Sequence, residues 1–281
     1  MPDLWRDLLE CLDLREVPAD GPGVTGFEGG NQHVGYHRVF GGQLLAQFVQ
    51  AAGRTCPGKA IKSLHVLFPR AGLVAEPVRY ESQCPHQGAS FATVTIVARQ
   101  TPGVVATASV SMHAAEDGPD HQSSPDVASV PGAEYRVDIP LLPWETRATT
   151  DLDAASAGPP EFDLWMRLPP VSSGLAPAVV AYATDLTLIG TALRPLAGLS
   201  QRDAGTAFTS AVTSHTVWFH RPVRTDGWLL LRQHSPLLAH GRCFGRGDVL
   251  TEDGSLIASY AQEALVRFPA TRPRQTSETQ V

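Results

Sequence analysis

The chain has 281 residues, 43% of them hydrophobic, which is enough to bury one large core or the cores of two ordinary domains. A formal charge of -6 and the absence of any run of Lys or Arg argue against nucleic-acid binding, since phosphate neutralisation needs a clustered basic surface. Acidic residues interrupt the first apolar stretch, so we expect neither a signal peptide nor membrane insertion, and we expect a cytoplasmic protein.

Helical spacing and extended runs alternate in the first 113 residues. Leucines at near-helical spacing predict a short amphipathic helix over residues 3–15, before a Gly/Pro-rich loop. The segment 41–53, GGQLLAQFVQAAG, predicts a second helix, because its apolar residues fall on one stripe and it closes with Gly. Four runs rich in Val, Thr, Ile and Phe then predict strands at 60–68, 76–84, 90–99 and 103–113.

The composition changes at residues 114–146, which are rich in Ala, Asp, Ser, Gly and Pro and are interpreted as an exposed connection. The order of the first half then returns. A strand is predicted at 161–168 and an apolar helix at 176–193. Four further strands are predicted at 207–220, 227–235, 241–251 and 255–267.

Two short stretches indicate that the second half repeats the first. SLHVLFPRAG at 63–72 and SHTVWFHRP at 214–222 share a Ser, a His and an alternating apolar run that ends in Phe, a spacer and Arg. With one small gap at 87–91, equivalent residues differ by 151 positions in three pairs: Phe68 and Phe219, Arg70 and Arg221, Gly103 and Gly254. A repeat of this length is a duplicated domain. Each copy is predicted to wrap an antiparallel sheet around one long helix, an α+β architecture.

The duplicated stretches resemble the type II acyl-CoA thioesterase family, whose members carry two fused hot-dog domains. The resemblance rests on FGGQLLAQFVQAAGRT (40–55), SLHVLFPRAG (63–72), AYATDLTLIGTAL (181–193), HTVWFHRP (215–222) and ASYAQEALVR (258–267). It implies hydrolysis of fatty acyl-CoA to free fatty acid and CoA, within fatty acid metabolism, without metal or organic cofactor. With the linker it implies four regions: an N-terminal hot-dog domain at 1–113, a linker at 114–155, a C-terminal hot-dog domain carrying the catalytic residues at 156–268, and a flexible tail at 269–281.

The family's catalytic set is an Asp in the second helix, a Ser or Thr on the strand before WFHRP and a Gln on the last strand, which together activate a water. Carried over to this chain, the Asp is Asp185 and the Gln is Gln262. The hydroxyl position falls on Val212, and Ser214 stands where the family has an acid. Because side chains two apart share one face of a strand, we expect Ser214, or Ser210, to supply the hydroxyl instead.

Asp185 and Gln262 also stand out without the resemblance. Asp185 lies on an otherwise apolar helical face, where an isolated carboxylate costs free energy. It is either a general base or a structural acid bonded to a neighbouring backbone group or Tyr. Gln262 either orients a water through its carbonyl or is an ordinary polar strand residue. Subtracting the repeat offset from Gln262 gives Ser111, so only the second half carries the pair.

Several other residues can be considered for a functional role. Gly41 and Gly42 open a helix whose N–H groups could polarise a carbonyl or meet a phosphate, or they form only a tight turn. His33 and His37 are four residues apart but have no third ligand, so no metal site is expected. The remaining candidates are expected to be structural: His215, His220 and the scattered cysteines Cys11, Cys56, Cys84 and Cys243.

Three functions stay open at this point. The first is hydrolysis of an acyl-CoA substrate, and the second is a non-catalytic acyl-CoA-binding protein that has lost the hydroxyl, as Val212 suggests. The third, hydratase or dehydratase chemistry, needs a His and an acid facing one substrate, and the sequence reveals no such pair near Asp185. Sheet edges favour a homodimer or a higher even homo-oligomer.

Overall fold

The structure, a computed structural model, describes residues 3–123 and 126–269. Nearly all of the predicted tail at 269–281 therefore lies outside the described residues. The described part of the chain contains four α-helices and thirteen strands in an α+β arrangement.

The first half begins with a helix and two short strands. Helix α1 (Leu4–Leu12) starts after Asp3, whose side chain accepts hydrogen bonds from two backbone N–H groups of the first turn. Strands β1 (Arg15–Val17) and β2 (Val24–Gly29) occupy a stretch predicted as loop, because both are short and lie among Gly and Pro. The second helix and the four predicted strands follow: α2 (Gly41–Thr55), β3 (Ala60–Leu67), β4 (Val78–Gln87), β5 (Phe91–Gln100) and β6 (Gly103–His113).

The second half repeats this order with two additions. The segment 114–155, interpreted as a linker, forms two short strands, β7 (Arg136–Val137) and β8 (Glu145–Arg147), that extend the sheet. The other elements are β9 (Glu161–Arg167), α3 (Ala176–Thr184), α4 (Leu188–Leu193), β10 (Thr209–Phe219), β11 (Leu229–Ala239), β12 (Arg242–Thr251) and β13 (Leu256–Arg267).

The apolar helix predicted at 176–193 is divided into α3 and α4. The break lies at Thr187, whose positive φ of 71° is incompatible with a continuous helix. Gln233, buried on β11, stabilises the break, because its Oε1 accepts hydrogen bonds from the hydroxyls of Thr187 at 2.8 Å and Thr191 at 3.1 Å. The break leaves Asp185 at the carboxyl end of α3.

All thirteen strands join one antiparallel sheet, in which the two halves meet at β3 and β10. The strand order is β1-β2-β4-β5-β6-β3-β10-β13-β12-β11-β9-β8-β7. At the junction His65 pairs with Thr216, and these residues differ by the repeat offset of 151, so an approximate two-fold axis passes through this pair. The edge strands β1 and β7 have three and two residues, which leaves little free edge for pairing with another copy.

The strand pairing corrects one detail of the alignment between the halves. The register shift between Gln83 and His86 in β4 recurs between His234 and Leu237 in β11. Both positions keep the offset of 151, so the gap introduced at 87–91 is wrong. The ambiguity arose because both hairpins contain a bulge, where sequence letters alone do not define which residues face each other.

The last strand of each half departs from the offset by one residue. The pair formed by Leu64 and Val110 holds the place in β3 and β6 that His215 and Gln262 hold in β10 and β13. Val110, and not Ser111, is therefore the structural counterpart of Gln262. The conclusion that the first half lacks this amide is unchanged.

Helices α2 and α3 pack against each other inside the wrapped sheet. They run antiparallel, since Gly42 at the start of α2 lies against the carbonyl oxygen of Tyr182 near the end of α3. At the other end Gln50 Nε2 donates to Gly174 O at 3.2 Å. The segment Ala176–Leu193 is long and apolar enough to cross a membrane, but 89% of it is buried within the described fold, as in a core helix.

Candidate active site

Asp185 lies where the carboxyl end of α3 meets the amino end of α2. It is only 7% exposed, and its carboxylate accepts a hydrogen bond from the Gly42 N–H. A Cβ atom at Gly41 would lie 2.8 Å from Asp185 Oδ2, and one at Gly42 would lie 2.4 Å from the Tyr182 carbonyl oxygen. The two glycines are therefore required by the close approach of the helices, and their role exceeds that of a tight turn.

The environment of Asp185 changes the acidity of its carboxyl group. Burial raises its pKa from 3.8 to about 7, while the Gly42 hydrogen bond and the positive charge of Arg38 act in the opposite direction. Arg38 is held in place by donating to Ser210 O at 2.9 Å. A carboxyl with this pKa can exchange a proton near neutral pH, which is the property that a general base needs.

His215 and Gln262 face each other on β10 and β13, and both side chains are buried beside Asp185. Gln262 Oε1 lies 2.9 Å from His215 Nδ1, and Thr184 Oγ1 lies 3.0 Å from His215 Nε2. Burial lowers the pKa of His215 to about 4, so the ring is neutral and Nδ1 donates to the amide oxygen. The ring therefore fixes the orientation of the Gln262 amide.

Two buried polar atoms of this cluster have no hydrogen-bond partner among the described residues. They are Asp185 Oδ1, an acceptor, and Gln262 Nε2, a donor. Asp185 Oδ1 lies 3.9 Å from His215 Nδ1, the nitrogen that also contacts Gln262. Buried polar groups are normally satisfied, so an unpaired acceptor and an unpaired donor in one cluster fit the binding of a small polar molecule. Because His215 occupies Gln262 Oε1, the amide nitrogen is the atom of Gln262 that remains for a bound molecule, whereas we expected its carbonyl to take that role.

The structure does not bring Ser214 to this cluster. A bulge at Thr213 inserts one residue between Val212, which pairs with Ala264, and Ser214, which pairs with Glu263. Val212 consequently faces the interior and Ser214 the outer side of the sheet. The expectation that these two side chains share a face is wrong, because one inserted residue reverses the alternation.

Ser210 lies on the inner side of β10, where it pairs with Val266, and its carbonyl oxygen is the one that binds Arg38. Between the two serines proposed from the sequence, only Ser210 is on the side of Asp185. The hydroxyl that contacts the cluster is that of Thr184, whose Oγ1 lies 3.0 Å from His215 Nε2 and 2.8 Å from Ala181 O. No sequence argument had selected it.

His215, which we expected to be only structural, lies in contact with Gln262 and close to Asp185. The signal in the sequence was the internal comparison, once the register of the last strand is known. The buried pair in the first half, Leu64 and Val110, is apolar, whereas its counterpart, His215 and Gln262, is polar. A polar pair is unfavourable in a core unless it is paired or used, so this difference between the copies marks the site.

The helices show the same asymmetry between the halves. Aligning the first residues of α2 and α3, Gly41 and Ala176, brings Gln50 to the place of Asp185 and Pro177 to the place of Gly42. Pro has no N–H group to donate, and an amide side chain does not act as a base. The first-half copy of the site therefore lacks the carboxylate and its helix-end donor.

No group of three or more His, Cys, Asp or Glu side chains within residues 3–123 and 126–269 is arranged to hold a metal ion. His33, one of the two histidines considered above, contacts Asp7, with Nδ1 2.9 Å from Oδ1. The candidate site thus consists of one carboxylate, one amide, one imidazole and the amino end of α2.

Family models and relatives match almost the whole chain. The model of the acyl-CoA thioesterase N-terminal domain matches residues 30–113, and that of the C-terminal domain matches residues 109–266. Acyl-CoA thioesterase 2 of Haemophilus influenzae is 27% identical over 294 residues, covering 95% of this chain and 99% of that protein. Human acyl-coenzyme A thioesterase 8 is 27% identical over 275 residues, covering 86% and 84% of the two chains.

Solved structures agree with this assignment. The acyl-CoA thioesterase II TesB2 of Mycobacterium marinum has a TM-score of 0.73 at 29% identity, covering 94% of this chain and 98% of that one. A hot dog fold protein of Alicyclobacillus acidocaldarius, with a TM-score of 0.71 at 19% identity over 93% and 98% of the chains, shares the fold. Both halves of the chain are therefore hot-dog domains, as predicted, and the chain is a thioesterase that belongs to the type II acyl-CoA thioesterase family.

Proposed function

We propose that the chain hydrolyses fatty acyl-CoA thioesters to free fatty acid and CoA at the cluster of Asp185, His215 and Gln262. The single observation that carries the proposal is the unpaired acceptor of Asp185 and the unpaired donor of Gln262, both buried and both belonging to residues near His215 Nδ1. Asp185 Oδ1 is suited to accept a proton from a water, and Gln262 Nε2 is suited to hold the same water by donating to its oxygen.

The chemical step follows from these roles. The water oxygen attacks the thioester carbonyl carbon while its proton passes to Asp185, and the carbonyl oxygen becomes an oxyanion. The C–S bond then breaks, and the proton on Asp185 passes to the leaving sulfur, which gives the carboxylic acid and the CoA thiol. A carboxyl of pKa about 7 suits both transfers, because it can take up and release a proton at neutral pH.

The amino end of α2 supports the step electrostatically. The first N–H groups of a helix have no partner within the helix, and the helix dipole places partial positive charge there. Gly42 already uses its N–H to hold Asp185, and the glycine pair allows a substrate to approach the backbone closely. We infer that the remaining first-turn donors stabilise the oxyanion.

Loss of the family hydroxyl motivated the alternative of a non-catalytic acyl-CoA-binding protein. Val212 is indeed on the inner face, so the chain has no hydroxyl at that position. However, the base, the amide and the imidazole that orients it are all retained and brought together, and such a cluster would be costly in a protein that only binds. This favours hydrolysis without the hydroxyl.

The structure offers one argument for hydratase chemistry, which needs a His and an acid close together: His215 Nδ1 lies 3.9 Å from Asp185 Oδ1. Such chemistry needs an imidazole nitrogen that can reach the substrate. Both nitrogens of His215 are engaged, by Gln262 and Thr184, and the side chain has no exposed surface. The ring is therefore suited to orient Gln262 and unsuited to exchange protons with a substrate.

Release of free thiol from acyl-CoA substrates of increasing chain length tests the proposal. We expect hydrolysis of fatty acyl-CoA and a defined optimum of chain length. Protein that binds a non-hydrolysable acyl-CoA analogue but releases no thiol at any chain length would overturn the proposal in favour of the binding function.

Assembly and location stay predictions. The short edge strands weaken the argument from sheet edges for an even homo-oligomer. A different feature supports it: Leu67 and Trp218, related by the repeat offset, are 60% and 39% exposed at the centre of the outer sheet face. We propose this face for association of copies, and we propose a cytoplasmic location with a role in fatty acid metabolism.

A further inference from the structure

A cavity of about 1130 Å³ lies at the end of the helix pair opposite Asp185. Gln50 and Gly53 of α2 line it, together with Pro177 at the start of α3. Asp185 follows Pro177 by eight residue steps along α3, which corresponds to about 12 Å at 1.5 Å per residue. The cavity is therefore distinct from the cluster described above.

The cavity lies at the helix ends that correspond, when α2 and α3 are aligned, to those of the candidate active site. Gln50 stands in it where Asp185 stands in the catalytic half, and Pro177 where Gly42 stands. The base and the helix-end donor are absent, yet the space between the helices is kept. A site that has lost its chemistry and kept its volume is suited to binding without turnover.

The walls and the mouth of the cavity differ in chemistry. The walls are apolar and largely buried, formed by Leu12, Val49, Met112, Phe219 and Val223. The mouth carries four cations against two acids, although the whole chain has a formal charge of -6. The cations are Arg54, Lys59, Lys62 and Arg221, and the acids are Asp13 and Glu116.

The two lysines at the mouth are the only lysines of the chain. Neither forms an ion pair within the described residues, whereas Arg221 pairs with Asp120. Two uncompensated ammonium groups beside an apolar cavity match a ligand that joins an anionic head to a long apolar chain.

We propose that this cavity binds a long-chain fatty acyl anion, with its chain between the helices and its anionic head on Lys59 and Lys62, and that it does not hydrolyse it. The head is the carboxylate of a free fatty acid or the phosphates of an acyl-CoA. The proposal rests on the proposed function in one respect, because such anions are the product and the substrate of that reaction. Ligand held here would report the level of either one to the enzyme.

Gly53 allows the cavity to be filled without disturbing the fold. It is an exposed helical residue, and a Cβ atom there would meet no atom within 4 Å. Gly53→Trp should place an indole in the cavity, and replacing a helical Gly does not weaken the helix. Gly53→Ala is the matched control, because it makes the same backbone change and leaves the cavity open.

The test is calorimetric titration of the full chain with palmitate and, separately, with the hydrolysis-resistant thioether S-hexadecyl-CoA. We expect two sites per chain for at least one probe in wild type and Gly53→Ala, and one site in Gly53→Trp. The double variant Lys59→Glu and Lys62→Glu should lower the affinity of the second site at least about tenfold. The double variant Lys59→Arg and Lys62→Arg keeps both charges and should not lower it. If palmitate occupies the second site, the anionic head that binds there is a carboxylate. If only the thioether occupies it, the head is the phosphate groups of CoA.

Two results would overturn the proposal. One is a single site, or none, in wild type for both probes. The other is a Gly53→Trp variant that hydrolyses short acyl-CoA normally but loses long ones, since the cavity would then hold the acyl chain of the catalytic site. Failure of the proposed function has a different signature, namely no thiol release by wild type whatever the number of sites.

Discussion

Asp185 is held in a position that is unfavourable for its charged form. Burial raises the pKa of its carboxyl to about 7, and this shift exceeds the opposing effects of Gly42 and Arg38. The fold therefore loses stability by holding a carboxyl group that titrates near neutral pH, as is common at catalytic positions.

The first prediction for this site concerns the dependence of activity on pH. Asp185 acts as a base only when ionised, so kcat/KM should rise with pH up to about 7 and then level off. His215, whose pKa is about 4, stays neutral through this range, so the pH profile should show a single ionisation. The profile is measured by thiol release between about pH 5 and 9. A rate that is flat across neutral pH contradicts the assignment.

The second concerns stability. Because the folded pKa of Asp185 is above its unfolded value of 3.8, the folded state binds the proton more tightly, and stability falls as pH rises from about 4 to about 7. Asp185→Asn removes this cost, on the order of 2–4 kcal/mol at pH 8. Denaturant unfolding should show the variant more stable than wild type at pH 8, with the difference shrinking at pH 4.5. An equal difference at both pH values would disprove the shift.

The third concerns Val212, which faces the interior where the family has a hydroxyl. Val212→Thr keeps the shape of the side chain and adds a hydroxyl at that place. We expect the added hydroxyl to support the water or the oxyanion and to raise kcat by about tenfold. Val212→Ala is the control, because it changes the packing and adds no hydrogen-bonding group. Equal rates in the two variants would show that the site does not use a hydroxyl there.

At the scale of the elements, hydrophobic periodicity predicted the helices and the long strands, and the duplication predicted their order. Hydrophobic periodicity could not predict the bulge at Thr213, because a single inserted residue leaves no periodic pattern. The inserted residue nevertheless reverses which side chains face inward. That bulge removes Ser214 from the site. The break at Thr187 was missed for a similar reason, since buried hydrogen bonds that the Thr187 and Thr191 hydroxyls donate to Gln233 stabilise it.

The paired strands allow an exchange between the two halves. Replacing His215 with Leu and Gln262 with Val installs the pair found at Leu64 and Val110, which the same fold already packs. We expect the double variant to fold and to lose about 10²- to 10⁴-fold in kcat, because nothing then holds the water opposite Asp185. Circular dichroism checks that the variant folds, and thiol release measures its kcat. Retained activity in a folded variant would show that the two polar side chains are structural.

At the scale of the molecule, the duplication supplies two helix ends and two strand pairs, and the two sets differ in chemistry. The strand pairing and the alignment of α2 with α3 give His215, Gln262, Asp185 and Gly42 a counterpart in the other half. The end proposed as catalytic has Asp185 and Gly42, whereas the other end has Gln50 and Pro177 and a large cavity. Among the described residues we therefore expect one catalytic site per chain.

The central claim is that Asp185 is the base of a thioesterase. Its most direct test is palmitoyl-CoA hydrolysis by Asp185→Asn at pH 8, with folding checked on the same sample. The substitution keeps the shape of the side chain and an acceptor for Gly42, but it removes the basic group. We predict a folded variant with at least about 10²-fold lower kcat. A folded variant with wild-type turnover would contradict the account.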